Sequence, residues 1–256
     1  MNVAIGTLIY REGAYIIDKF LANQKQIQQV YPLSMLIFAT SEADFVDDLN
    51  RLITSWELNA TVIHYEVVKP HYAGNRIWNI TCGREALRDY VLSKTDAHYL
   101  LFLDADSILE PSVIVKMKKE IKGYDAVFSG YPLRNYGIGL AGCGCLMLTR
   151  EVLEKIAFRC YEFKNGEVIF EDNVLEVDLF NLRSRIKKGF FVRLEHYRDE
   201  NDFVYIDPQP VGIFRKAVNS AFPRYLLNKM SILMHCNIPW RIKVFYNKLI
   251  KRFKTR

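Results

Sequence analysis

The chain has 256 residues, half of them hydrophobic and a quarter charged, with no low-complexity tract. That composition excludes a disordered or fibrous protein and leaves room for one large domain or two small ones with a sizeable core. No stretch reaches the eighteen or so uninterrupted apolar residues of a membrane span, and no basic region precedes an apolar signal core at Met1; the expectation is a cytoplasmic chain starting near residue 1.

Short apolar runs alternate with segments of helical length through the first two thirds. Val3–Tyr10, Leu33–Thr40, Thr61–Val68, His98–Leu103 and Ala126–Tyr131 read as strands. Ala14–Val30, Ala43–Ser55, Asn75–Leu92 and Pro111–Ile121 read as the helices between them. Strict alternation implies βαβ units and a mostly parallel sheet with helices on both faces. Tyr99–Leu103 is apolar at every position, as a central strand covered on both faces should be. Val113, Ile114, Met117 and Ile121 form one helical stripe behind Pro111, which suits a first helical turn. Farther on, Leu175, Leu179, Leu182 and Ile186 predict a helix running to Lys188 and ended by Gly189, followed by a strand at Phe190–Leu194. Tyr197–Pro210 is polar and then proline-punctuated, which predicts a long loop or lid. Tyr225–Cys236 and Pro239–Phe253 are helical in period, and the second is a basic amphipathic helix that begins with Trp240.

Five cysteines (Cys82, Cys143, Cys145, Cys160 and Cys236) are odd in number and irregular in spacing, which fits neither a disulfide framework nor a zinc site. Cys143 and Cys145, one residue apart, read as small buried residues. The net charge of +6 is unevenly spread: no acidic residue follows Asp207, while Arg215 to Arg256 holds eleven Lys and Arg. A mildly acidic body thus carries a basic tail, which bears on partners rather than on fold. The expected division is a domain over 1–210 and a basic helical extension over 211–256.

The chemistry concentrates where the buried strand stops, in Leu-Phe-Leu-Asp-Ala-Asp. In open parallel sheets ligands bind beyond the carboxyl ends of strands, and Asp104-Ala105-Asp106 delivers two carboxylates there. Hard oxygen ligands of this kind suit Mg2+ or Mn2+, which bind through one or two carboxylates plus substrate phosphates. The plainer alternative is a turn whose Asp106 or Ser107 helps cap the following helix. Arg84 shares a helix face with Ile77, Ile80, Leu87 and Val91. That face points inward, where an unpaired arginine would be costly, so Arg84 pairs with a core carboxylate, snorkels outward or reaches a bound anion.

From Asn75 to Pro111 the chain resembles the central block of family 2 glycosyltransferases: a helix with an Arg, then a hydrophobic strand ending in a DxD motif. The resemblance continues through Gly142-Cys-Gly-Cys-Leu-Met-Leu-Thr-Arg and ends at Phe170-Glu171-Asp172-Asn173. It covers roughly residues 3–196, with the three blocks in family order. It implies a GT-A fold, a Rossmann-like α/β domain that binds nucleotide-diphospho-sugars, extended here by C-terminal helices. It also implies Mn2+ or Mg2+ at Asp104 and Asp106, Arg84 and Asp104 on the donor diphosphate, and Asp172 as general base of an inverting transfer. Glu171 would be an acceptor contact or a helix cap, since carboxylates at a helix N-terminus are also favoured by the macrodipole. In some GT-A enzymes a histidine near the position of His196 adds a third metal ligand.

The chain departs from the family at two strand ends. Leu8-Ile9-Tyr10-Arg11-Glu12 stands for the usual Pro-Thr-Tyr-Asn, and Ala39-Thr40-Ser41-Glu42 for the usual paired aspartates. Tyr10, Glu12 and Ser41 are donor-binding candidates by position alone. Expected partners are a UDP- or GDP-sugar and a glycan, lipid-linked or protein acceptor. The tail suits an anionic membrane surface, making the protein peripheral there, or simple packing on the domain; nucleic acid fits it less well. Two rival enzymes are a retaining GT-A transferase and a sugar nucleotidyltransferase, though the latter would need a glycine-rich phosphate loop after the first strand. A non-catalytic protein acting through its tail is the rival from another class.

Overall fold

The computed structural model describes residues 2–68, 76–132, 138–140, 142–162 and 168–237. The first half contains β1 (Val3–Leu8), α1 (Ile17–Val30), β2 (Ser34–Thr40), α2 (Val46–Ser55), β3 (Ala60–His64), α3 (Arg76–Lys94), β4 (Tyr99–Leu103), β5 (Ser107–Leu109), α4 (Val113–Glu120) and β6 (Ala126–Ser129). Then come β7 (Tyr131–Pro132), β8 (Ile138–Gly139), β9 (Cys145–Thr149), α5 (Arg150–Leu153), β10 (Tyr161–Glu162), β11 (Val168–Ile169) and α6 (Glu171–Asn181). The last elements are β12 (Ile186–Gly189), β13 (Leu194–Tyr197), β14 (Phe203–Ile206), α7 (Ile213–Val218) and α8 (Ala221–Asn237). Short 3-10 helices at Arg11–Ile16 and Ala43–Phe45 lead into α1 and α2.

Seven strands form the main sheet in the order β12-β6-β9-β4-β1-β2-β3. The pairs β1–β2, β1–β4, β2–β3 and β12–β6 are parallel, while β9 runs antiparallel between β4 and β6. Both faces are covered, and strand residues alternate between them. Val3 and Ile5 of β1, with Leu101 and Leu103 of β4, face a core completed by Phe20, Leu21 and Ile27 of α1, Leu49 of α2 and the α4 stripe of Val113, Ile114 and Met117. Ala4, Leu100 and Phe102 face the opposite core with Leu87 and Val91 of α3, Val152 and Leu153 of α5, and Leu175 and Leu179 of α6. A strand buried on both sides has no need of polar alternation, which is why β4 is apolar throughout.

Three expectations change around α6. The helix ends at Asn181 rather than near Lys188. Arg183 adopts φ +56°, and the N–H groups of Arg183 and Ser184 turn back to the carbonyls of Phe180 and Leu179. The Asp125 carboxylate then accepts from the Arg185 N–H at 2.6 Å, and residues 186–189 pair with β6 instead of completing a helical stripe. Leu182, expected on the buried face, is 40% exposed. The strand expected at Phe190–Leu194 begins at Leu194, with Phe190 making one bridge to Gln209. The expected loop over 197–210 contains β14, which pairs antiparallel with β13, so 203–206 is sheet and not a lid. The strand expected over Ala126–Tyr131 stops at Ser129, and Tyr131–Pro132 joins β8 in a separate pair.

The first part of the C-terminal extension packs on the body. Tyr225 stacks on Phe180 with ring centroids 4.2 Å apart. Arg224 Nε and Asn228 Nδ2 donate to Glu176 Oε2 at 2.8 and 3.0 Å, and Lys188 ion-pairs with the other oxygen of this buried carboxylate. The helix expected at Pro239–Phe253 lies outside the described residues. Among the described residues no helix is long and apolar enough to cross a membrane.

Candidate active site

The carboxyl ends of β1, β2 and β4 lie along one edge of the sheet, and the DxD triplet turns there. Ser107 N–H donates to Asp104 C=O at 3.1 Å, so Asp104-Ala105-Asp106 is a tight reversal between β4 and β5. β5 then pairs antiparallel with β13, which sets Ser107 opposite His196 and brings that histidine beside Asp106. The α3 helix crosses close to the same edge. A Cβ on Gly83 would lie 2.6 Å from Leu8 Cδ2 and 2.7 Å from the Tyr65 hydroxyl, so only glycine lets α3 approach this far. Arg84 follows immediately.

Arg84 is buried and bridges two acids from distant parts of the chain. Its guanidinium donates to Asp104 Oδ1 at 3.2 Å and pairs with Glu171 Oε1 at the start of α6. Burial alone would lower its pKa; Cys143, Glu171 and Asp104 around it outweigh that, and the pKa rises. Burial raises the Asp104 pKa, with Arg84 opposing and the neighbouring Asp106 adding to the rise. Glu171 Oε2 is buried, with no hydrogen-bond partner among the described residues.

His196 Nε2 lies 3.2 Å from Asp106 Oδ2, and its Nδ1 lies 2.7 Å from the Pro132 carbonyl. The carbonyl can only accept, so Nδ1 carries a proton and Nε2 is the nitrogen aimed at Asp106. Burial works against a charged imidazole here, but the Asp106 hydrogen bond and charge prevail and the His196 pKa rises. The two atoms face each other, and with Nε2 deprotonated they would offer a divalent cation one oxygen and one nitrogen donor. The expected trio is not assembled as a cage, because Asp104 is turned to Arg84. Among the described residues no group of three or more His, Cys, Asp or Glu could hold a metal by itself.

Asp172 follows Glu171 in the first turn of α6. Its Oδ1 accepts from the Asn173 N–H at 2.7 Å. Burial, and then the negative charge of Glu171, push its pKa up to about 7 against the pull of Arg84. A carboxylate at that value is half ionised near neutrality and can take a proton.

The three donor candidates chosen by position fall in two places. The Tyr10 hydroxyl meets the Tyr65 hydroxyl at 2.6 Å, and Tyr65 also donates to Asn79 Oδ1 at 2.8 Å and bonds with Ser41. Burial raises the pKa of both phenols, that of Tyr65 to about 12. Tyr10 and Ser41 therefore share one cluster beyond the ends of β1 and β2. Glu12 stands apart at the exposed rim, paired with Arg76 at 3.0 Å.

Sequence reasoning passed over Gly144, Tyr131 and Tyr65. A Cβ on Gly144 would lie 2.6 Å from Asp104 Oδ2, so the glycine makes room for that carboxylate. Burial, then Asp104 and Asp172, raise the Tyr131 pKa and keep its phenol neutral beside both acids. Its ring packs edge-on against His196 at 6.1 Å. The signal for Gly144 was present in Gly-Cys-Gly-Cys; nothing in the sequence marked either tyrosine. Cys143 and Cys145 are buried free thiols whose pKa burial raises, as small core residues should be.

No family model matches the sequence, and no curated protein matches it. Among solved structures, the fold is similar to the mannosyltransferase PcManGT from Pyrobaculum calidifontis in complex with GDP-Man and Mn2+ (TM-score 0.55, 14% identity, 89% of this chain and 68% of that one). It is similar to S. aureus TarS 1–349 in complex with UDP (TM-score 0.51, 14% identity, 73% of this chain), of which the match spans only 57%. It is also similar to the inositol-1-phosphate CTP transferase from T. maritima (TM-score 0.51, 11% identity, 78% of this chain and 90% of that one). The chain thus has a GT-A-like fold, a mostly parallel seven-stranded sheet flanked by helices.

Proposed function

We propose that this protein is a metal-dependent glycosyltransferase that moves a sugar from a UDP- or GDP-linked donor to an acceptor hydroxyl with inversion. The observation that carries the reading is the convergence of Arg84, the Asp106–His196 pair and Asp172 around one edge of a GT-A-like sheet. A buried cation, a cation-ready donor pair and a base near neutrality are the three tools that transfer from a diphosphate leaving group requires.

In this reading Asp172 takes the proton of the acceptor hydroxyl as its oxygen attacks the anomeric carbon. The bond from that carbon to the donor's phosphate oxygen breaks, and the nucleoside diphosphate leaves with the electron pair. Arg84, already cationic, neutralises the departing diphosphate in competition with Asp104. The open oxygen of Glu171 would accept a hydrogen bond from an acceptor hydroxyl. Tyr10 and Ser41 would border the donor through their shared contact with Tyr65, with Glu12 at the rim. A bound Mn2+ or Mg2+ would be held by Asp106 and His196, with Asp104 joining them on release from Arg84, and would supply positive charge to the diphosphate. The mixed oxygen and nitrogen donors favour Mn2+ over Mg2+.

The acceptor belongs to the glycan, lipid-linked or protein hydroxyls. The extension over 211–256 belongs to the same reading as a peripheral contact with an anionic membrane. A second reading, transfer of a nucleotidyl group, is favoured by the likeness to the CTP transferase. Against it, Leu8-Ile9-Tyr10-Arg11 offers no glycine-rich phosphate loop. Product analysis separates the two. Release of UDP or GDP from UDP-hexose or GDP-mannose with Mn2+, lost in Asp172→Asn, supports sugar transfer. Pyrophosphate release from a nucleoside triphosphate and sugar phosphate, with no turnover of either donor, sinks it.

A further inference from the structure

The C-terminal helices present an apolar face that nothing in the described structure covers. At about 100° per residue, Arg224, Tyr225 and Asn228 of α8 share one side, the side docked on α6 through Glu176 and Phe180. Leu226 and Met230, one turn apart, fall roughly opposite and are 45% and 41% exposed, whereas Phe222 lies beside Phe180, ring centroids 6.1 Å apart, and belongs to the docked side. On α7, Ile213 and Phe214 are the most exposed large hydrophobics described, at 90% and 83%. Single exposed apolar residues are ordinary, but four in two neighbouring pairs on consecutive helices are more than scatter.

The segment that carries these residues has charge of one sign. From Pro208 to the end of the chain there is no acidic residue and there are eleven Lys and Arg. Lys216 is exposed on α7 about one turn from Ile213, and Lys229 lies at the edge of the α8 stripe, its ammonium 5.8 Å from the Tyr225 ring centroid. Apolar side chains flanked by basic ones that reach outward form the pattern of a helix lying in a lipid interface. A protein partner would need matching acids, whereas an anionic bilayer supplies negative charge and an apolar interior on one plane. We infer that Ile213, Phe214, Leu226 and Met230 form the face by which this protein seats on an anionic membrane. The inference rests on the membrane-facing reading of the extension and is independent of the transfer chemistry. The opposite side of α8 is clamped to α6, whose first turn holds Asp172, so α8 would stand between a membrane docked here and the helix that carries the proposed base.

The test is co-sedimentation of the full chain with phosphatidylcholine vesicles, with and without phosphatidylglycerol, at low and high salt. Three proteins are compared: wild type, Ile213→Ser/Phe214→Ser, and Leu226→Ser/Met230→Ser. The replaced side chains are solvent-exposed, so both variants should melt with the wild type. Wild type should bind only the phosphatidylglycerol vesicles, more weakly in high salt. Each double variant should lose on the order of tenfold or more in partitioning. Wild type that ignores both vesicles overturns the inference, whether the face then holds a second copy, residues 238–256 or single-stranded nucleic acid. Wild type that binds anionic vesicles, with both variants unchanged, keeps the membrane contact but overturns this face. Mn2+-dependent nucleotide binding in the same preparations reports separately on the transferase reading.

Discussion

Arg84 donates to Asp104 Oδ1 at 3.2 Å, joining the end of β4 to the helix that precedes it by sequence. The same guanidinium holds Glu171, so one side chain ties three segments into one site. Replacing it with methionine leaves a buried Glu171 without its cation, which typically costs about 3–5 kcal/mol. Arg84→Lys keeps the charge but not the fork and should recover part of the stability. Urea denaturation of the three proteins measures this. Equal midpoints for wild type and Arg84→Met would mean that the bridge does not hold the fold.

Asp106 and His196 should act as a pair. Loss of either, in Asp106→Ala or His196→Ala, should weaken Mn2+-assisted nucleotide binding by at least about tenfold, with metal-free binding less affected. Protons compete with the metal for Nε2, so Mn2+ affinity should fall as pH drops below the raised His196 pKa. Titrations across pH check this. An unchanged Mn2+ dependence in both variants removes the pair from the metal site.

Asp172 carries two linked expectations. As a base it must be ionised, so kcat/KM should rise with pH through about 7, and Asp172→Asn should lose transfer while keeping donor binding. Its folded-state pKa also lies above that of an unfolded aspartate, so the folded protein binds the extra proton. The stabilisation from that proton is complete below about pH 4 and is lost as pH rises through about 7. Asp172→Asn should therefore melt higher than wild type at pH 8, with the gap shrinking towards pH 5. A variant that melts lower at pH 8 would show that the ionised carboxylate is not strained by its surroundings.

Gly144→Ala adds a Cβ that would lie 2.6 Å from Asp104 Oδ2. The carboxylate is the movable partner, so the fold should survive and the carboxylate should shift. The expected outcome is a melting temperature within a few degrees of wild type, with nucleotide affinity in Mn2+ lowered roughly tenfold or more. Unchanged affinity would mean that Asp104 need not hold this position.

The central strands were legible because they are buried on both faces and hence apolar, as in Tyr99–Leu103. The inward Arg84 was legible from helical spacing, although its two partners were not, since Glu171 is brought to it only by the fold. Around α6 the periodic pattern misled. Leu182 and Ile186 continue the helical spacing of Leu175 and Leu179, but the left-handed Arg183 and the Asp125 carboxylate redirect the chain into the sheet edge. The Asp106–His196 contact depends on the pairing of β5 with β13, a register between segments far apart in sequence that no local pattern encodes. Tyr65 and Tyr131 were missed for the same reason, being ordinary strand-end residues until the fold sets them against Tyr10 and His196.

The most direct test of the central claim is calorimetric titration of UDP and of GDP, each with and without Mn2+, on wild type and Asp106→Ala. The proposed function predicts that one nucleotide binds wild type in a Mn2+-dependent way and that this dependence vanishes in the variant. Binding of neither nucleotide, or binding that Mn2+ and Asp106 do not affect, would contradict it.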